Sequence, residues 1–171
     1  MNNFNSHAPV ASSASSFNKP VECGRILVID DDFWIKSVVI EMLNQQGFQV
    51  EGADDGEAGW EALSAGNFDL LITDQDMPRL CGLDLLRRMR AAQLDLPAIL
   101  ISGCVPWDAD DLGKLFTPGA IMEKPFSFPK LLKNVQNLLI EAKQPRETAR
   151  VRQTIFDSDH LVAARYLGVG V

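Results

Sequence analysis

The sequence predicts an α/β fold, a doubly wound five-stranded parallel sheet in the order 2-1-3-4-5 with helices on both faces, of the flavodoxin-like kind. Three observations carry this prediction. Short apolar runs alternate five times with segments of helical spacing between Arg25 and Ala142. The runs Arg25-Ile26-Leu27-Val28-Ile29 and Leu70-Leu71-Ile72-Thr73 lack the polar alternation of a half-exposed strand, so both faces are expected to be covered. Each of these two runs passes straight into carboxylates, Asp30-Asp31-Asp32 in the first and Asp74 in the second. Open parallel sheets bind ligands beyond the carboxyl ends of their strands, where the strand order reverses. In this topology strands 1 and 3 are neighbours at that point, so their acidic ends meet in one crevice.

Bulk properties narrow the function. A chain of 171 residues, 46% hydrophobic, has enough for one domain with a core, plus tails. A formal net charge of -7 speaks against a general nucleic-acid-binding surface. Cys23, Cys81 and Cys104 have no CxxC spacing and read as reduced thiols of a cytoplasmic protein. No apolar run reaches the roughly 18 residues of a membrane helix, so no membrane insertion is expected. The N-terminus lacks the charged and apolar segments of a signal peptide.

Taken in order, residues 1–24 are rich in Ser, Asn and Ala and are expected to be a disordered leader. Residues 25–142 form the domain. After the first strand, Arg25–Ile29, the segment Phe33–Gln46 is helical, with Ile35, Val38, Val39, Met42 and Leu43 inward and Gly47 as its C-cap. Phe48-Gln49-Val50 is the second strand. Asp54 is expected to open the second helix, with Glu57 completing a capping box, Ala58, Ala62 and Leu63 inward, and Gly66 at its end. Leu70–Thr73 is the third strand. A loop containing Pro78 and Gly82 leads to a helix over Leu83–Met89, whose arginines, Arg87, Arg88 and Arg90, suit its C-terminus. Ala98–Ile101 is the fourth strand, ending at Ser102-Gly103. A short helix, Asp108–Phe116, is broken by Pro118-Gly119. Ala120–Glu123 is the fifth strand, ending at Lys124-Pro125-Phe126. Ser127 caps the last helix, with Phe126 and Leu131 as a hydrophobic staple and Leu131, Leu132, Val135, Leu138 and Leu139 as its apolar side. The tail, 143–171, is too short for a domain of its own. An appended short helix, a partner-binding segment and a linker to an output module stay open for it. His7 and His160 lie in the two tails and are given no role.

The crevice dictates a chemistry. Asp30, Asp31 and Asp74 repel one another unless a cation sits between them, and with no His or Cys placed to recruit zinc the oxygen donors suit magnesium. A carboxylate beside magnesium can attack a phosphoryl group and form an acyl phosphate. The hydroxyl of Ser102 and the ammonium of Lys124, at the ends of strands 4 and 5, can then hold and neutralise the transferred oxygens.

With these residues in place the sequence closely resembles the receiver domain of bacterial two-component response regulators. The resemblance is carried by Ile26–Asp32, by Leu70–Pro78, by Ser102-Gly103 and by Lys124-Pro125-Phe126. It implies that Asp74 accepts a phosphoryl group from a sensor histidine kinase or a histidine phosphotransfer protein. It implies that Asp30, Asp31, Asp74 and the backbone carbonyl of Asp76 hold Mg2+, and that Ser102 and Lys124 assist. It also implies a cis bond before Pro125, a downstream protein target, and a phosphorelay or switching role; homodimerisation stays open. The family usually has Tyr or Phe where this chain has Ile121, so the inward swing of an aromatic ring has no counterpart here. The rival readings are a degenerate receiver that only docks and a haloacid-dehalogenase-like phosphatase. Asp74-Gln75-Asp76 fits the phosphatase spelling, but the earlier acidic pair and the missing cap domain oppose it. Turnover of an external substrate is not expected. A dinucleotide-binding domain would need a Gly-rich turn after strand 1, where this chain has Asp30-Asp31-Asp32-Phe33.

Overall fold

A computed structural model describes residues 24–104, 112–116 and 118–143. Five strands, β1 (Arg25–Ile29), β2 (Gln49–Ala53), β3 (Leu70–Asp74), β4 (Ala98–Ser102) and β5 (Gly119–Glu123), form one sheet in the order β2-β1-β3-β4-β5. All four pairings are parallel. The helices are α1 (Phe33–Gln45), α2 (Gly56–Ala65), α3 (Gly82–Ala91), α4 (Leu112–Leu115) and α5 (Phe128–Lys143). The predicted topology is thus the observed one. Expectations for 1–23, 105–111, 117 and 144–171 lie outside the described residues, including the first four residues of the segment expected to be the fourth helix.

Alternation along the strands divides the core into two layers. Ile26, Val28, Leu70, Ile72, Ile99, Ile101 and Met122 pack with Val39 and Leu43 of α1 and with Leu131, Val135, Leu138 and Leu139 of α5. Leu27, Ile29, Leu71, Ala98 and Leu100 pack with Leu63 of α2, with Leu83, Leu86 and Met89 of α3, and with Leu115 of α4. Both faces need apolar side chains, which is why β1, β3 and β4 read as continuous apolar runs. Each fully buried Leu or Ile contributes about 1.5–3 kcal/mol through its area removed from water.

Several local expectations are corrected. β2 runs on to Ala53 because Gly52 and Ala53 stay in register with Val28 and Ile29. The chain is therefore still extended at Asp54, and α2 starts later than expected. Its N-cap is Asp55, whose carboxylate accepts the N–H groups of Glu57 and Ala58. Asp54 turns outward to Lys36, and Glu57 pairs with Arg88 rather than closing a capping box. On α1 the inward row is Lys36, Val39 and Leu43; Val38 is 56% exposed. A lysine was not expected inside. It is accommodated because its ammonium finds two acceptors.

Candidate functional site: an acidic pocket at the ends of β1 and β3

Register sets the pocket. Ile29 of β1 lies opposite Thr73 of β3, so Asp30 and Asp74 are level with each other, one residue further on. Both continue the alternation of the α1/α5 face, and both are buried, at 4% and 3% exposure. Asp31 is exposed at the mouth. One carboxylate oxygen from each of Asp30, Asp31 and Asp74 falls within 4.8 Å of the others. Asp32, the last of the run, turns away and caps α1, accepting the N–H groups of Trp34 (2.8 Å) and Ile35 (3.1 Å).

The bonding around the acids is specific. Asp74 Oδ2 accepts the Asp76 N–H at 3.1 Å, and Asp74 Oδ1 faces the Lys124 ammonium at 2.6 Å. That ion pair is the partner of Oδ1 in place of a well-aligned hydrogen bond. Asp30 Oδ1 accepts the Asp32 N–H at 2.8 Å, and Asp30 Oδ2 is 4.0 Å from Lys124. Burial pushes the Asp30 carboxyl above the ordinary carboxylate range; the Asp32 N–H and Lys124 oppose the rise, and the charges of Asp74 and Asp31 add to it. Burial works to lower the Lys124 pKa, but its close contact with the Asp74 carboxylate and the charges of Asp74, Asp30 and Asp76 outweigh that and raise it. Asp74 and Asp30 thus share the Lys124 ammonium, and Asp31 adds a third carboxylate to the cluster. The surplus negative charge, the all-oxygen donors and their spacing fit a small hard dication such as Mg2+.

The sequence-predicted residues Asp30, Asp31, Asp74 and Lys124 are brought together directly. Asp76 follows on the β3–α3 loop, with its N–H on Asp74 and its side chain exposed. Ser102 is fully buried at the end of β4 but is held by its own loop. Its hydroxyl donates to the Cys104 carbonyl at 2.6 Å and accepts the Cys104 N–H at 3.2 Å. By the alternation of β4 it belongs to the opposite face from Asp74, so it must leave Cys104 to serve the pocket. The bond before Pro125 is cis.

Two residues that support the pocket were not singled out in the sequence. Gln75 takes the place of a side-chain cap on α3: its side-chain oxygen accepts the Leu83 N–H at 3.0 Å, and its carbonyl accepts the Gly82 N–H at 3.1 Å. Gly82 brings that helix end against β3, since a β-carbon there would lie 2.3 Å from the Asp74 carbonyl oxygen. A glycine just ahead of a helical pattern was the available signal for this close approach.

Comparison with known proteins agrees with this geometry. The family model described as the response regulator receiver domain matches residues 26–136. The chain belongs to that family. Its curated relatives include the cell cycle transcriptional regulator CtrA of Caulobacter vibrioides, 31% identical, covering 70% of this chain and 52% of the relative. They also include the transcriptional regulatory protein FixJ of Bradyrhizobium diazoefficiens, 33% identical, covering 77% and 64%. The receiver protein CpdR of Brucella abortus is 29% identical, and the match covers 69% of this chain and 98% of CpdR. The chain therefore spans about half to two-thirds of the length of the transcriptional regulators it matches. Among solved structures, the Francisella response regulator 1452 receiver domain is 26% identical with a TM-score of 0.63, covering 70% of this chain and 99% of that one. TrrA of Thermotoga maritima, solved in complex with Mg2+–BeF, is 30% identical with a TM-score of 0.61, covering 67% and 98%.

Proposed function

We propose that this domain accepts a phosphoryl group on the Asp74 side chain from a sensor histidine kinase or a histidine phosphotransfer protein, and then acts on a partner protein or relays the group onward. The observation that carries this reading is the meeting of Asp30, Asp31 and Asp74 within 4.8 Å, with the Lys124 ammonium 2.6 Å from Asp74. An Asp74 carboxylate oxygen forms a bond to phosphorus as the bond from phosphorus to the donor imidazole breaks; the imidazole leaves with the electron pair and takes a proton. Lys124 balances the charge of the transferred group. The Asp76 N–H orients the carboxylate. Ser102, released from Cys104, donates to a phosphoryl oxygen. Asp30, Asp31, Asp74 and the Asp76 carbonyl would hold Mg2+, which would supply neutralisation of the negative charge that gathers during the transfer. The domain boundaries proposed are 25–142, with the flanking segments outside it and a cytoplasmic setting. Among the described residues no helix is long and apolar enough to cross a membrane.

The test is intact-mass measurement after incubation with a small phosphodonor and Mg2+. The wild-type chain gains one phosphoryl group, and Asp74→Asn gains none. An equal phosphorylated fraction in the variant would overturn the assignment. No mass gain in the wild type, from small donors or from any kinase tried, would favour a receiver that only docks.

A further inference from the structure

We propose that the Asp54-Asp55 turn, which places no atom in the acidic pocket, positions both halves of the pocket from outside, through Lys36 on one side and Arg79 on the other. The inference rests on the reading of the pocket as a Mg2+-dependent phosphoacceptor site. Its starting point is the set of buried charged residues. Among the described residues these are Asp30, Asp74, Lys36 and Asp55. The first two belong to the pocket. The other two are the inner members of ion pairs whose outer members are exposed: Lys36 with Asp54, and Asp55 with Arg79. Buried charges are retained when they are paired and hydrogen-bonded, and each of these is tied to a part of the site.

Lys36 holds the β1 end. Its ammonium donates to the Asp30 carbonyl at 2.8 Å and to Asp54 Oδ1 at 2.5 Å. Its stem runs across Gly52, where a β-carbon would lie 3.4 Å from Lys36 Cδ and 2.8 Å from Ile40 Cδ1. The glycine in mid-strand thus leaves a lane for the lysine. Because a peptide unit is planar, fixing the Asp30 carbonyl also fixes the direction of the Asp31 N–H and the start of the Asp31 residue. Lys36 therefore sets the junction of the two acids without touching either carboxylate.

Arg79 holds the loop after β3. It stands in the left-handed region at φ 68°, a conformation that costs an arginine energy and persists where surrounding contacts fix it. The contact is Asp55, which uses its other oxygen to cap α2. Two residues before Arg79, Met77 is buried in the α2/α3 layer of the core. Asp76, between Met77 and Asp74, is thereby fixed with its N–H on Asp74 Oδ2. Two adjacent acids of one turn so brace the Asp30–Asp31 junction and the Asp76 loop against each other. A Mg2+ site with few protein ligands depends on such outer partners, whose removal typically weakens a metal site by about 10–100-fold.

The experiment uses the full chain and titrates Mg2+ against tryptophan fluorescence, Trp34 being three residues from Asp31. Urea unfolding in chelator and amide spectra of the metal-free protein accompany it, because a purely structural role moves the unfolding midpoint and not the Mg2+ affinity of the folded protein. Lys36→Met and Arg79→Gly are each expected to weaken Mg2+ about tenfold or more while staying folded, glycine taking the left-handed backbone without strain. The metal-free amide signals of Asp31 in the first variant and Asp76 in the second should shift. Should Lys36→Met not fold, Asp54→Asn tests the same arm at an exposed carboxylate, with a smaller loss in the same direction. Mg2+ affinity within about twofold of wild type in folded Arg79→Gly and Asp54→Asn would overturn the positioning role. A wild-type chain that binds no Mg2+ and accepts no phosphoryl group would instead remove the reading beneath it.

Discussion

At the scale of single residues, the burial of the Asp30 carboxylate works against the metal-free fold. The raised pKa of Asp30 has a definite sign. Its folded form binds a proton more readily than its unfolded form, so the stability it contributes is present below the unfolded value near 3.8 and is lost as pH rises through the raised folded value. At neutral pH the ionised Asp30 therefore costs stability. Asp30→Asn should raise the urea midpoint of the protein in chelator, by an amount on the order of 1 kcal/mol, and saturating Mg2+ should narrow the gap by binding the wild type more tightly. An unchanged or lowered midpoint would contradict this. Ser102 is the second case. In the proposed function it would exchange its two bonds to Cys104 for the phosphoryl group, and its departure should then carry Gly103 and Cys104 with it. Ser102→Ala should leave Asp74 phosphorylatable but shrink the amide shift changes produced by Mg2+ and beryllofluoride at 103 and beyond. Full-sized changes in that variant would mean the hydroxyl does not carry the signal.

At the scale of elements, the helices are held by bonds that reach across the fold. Arg90, near the end of α3, is the clearest example. Its guanidinium donates to the carbonyls of Leu94 and Leu96 in the loop before β4, and twice to Leu115 at the end of α4. Burial lowers its pKa, with the charge of Asp95 opposing the fall. Arg90→Met should cost about 2–3 kcal/mol in urea unfolding, because several partly buried carbonyls lose a charged donor at once. A loss under about 0.5 kcal/mol would show water replacing it there. In the sequence Arg90 was legible only as a cation suited to a helix end. Its fork to a distant carbonyl is a tertiary fact. Ile121, which stands where the family usually has an aromatic ring, is only partly buried in β5. The cost of Ile121→Ala should accordingly fall near 1–2 kcal/mol, below the range for fully buried sites, with phosphorylation unaffected.

At the scale of the whole molecule, the topology and the acid pocket were both legible for one reason. A parallel sheet covered on both faces demands apolar strands, and a carboxylate at the end of such a strand has nowhere to point but the crevice. Asp30, Asp74 and Lys124 follow from that alone, with alternation placing all three on one face. What was not legible turns on residues that satisfy one another. The shift of the α2 cap from Asp54 to Asp55 depends on whether β2 keeps pairing through Ala53, which a local pattern does not decide. The burial of Lys36 depends on Gly52, Asp30 and Asp54 together. The exposure of Val38 reverses its expected inward place, because Lys36 takes the inward row with Val39 and Leu43.

The central claim is that Asp74, among the four acids around the pocket, is the group that receives phosphorus. An acyl phosphate is reduced by borohydride to an alcohol, which converts the acceptor aspartate into homoserine and marks it permanently. The most direct measurement is therefore peptide mass mapping of the wild-type chain after phosphorylation in Mg2+ and borohydride reduction. Homoserine at position 74, dependent on both donor and Mg2+, is the predicted result. Homoserine at Asp30, Asp31 or Asp76, or labelling that persists without Mg2+, would contradict it.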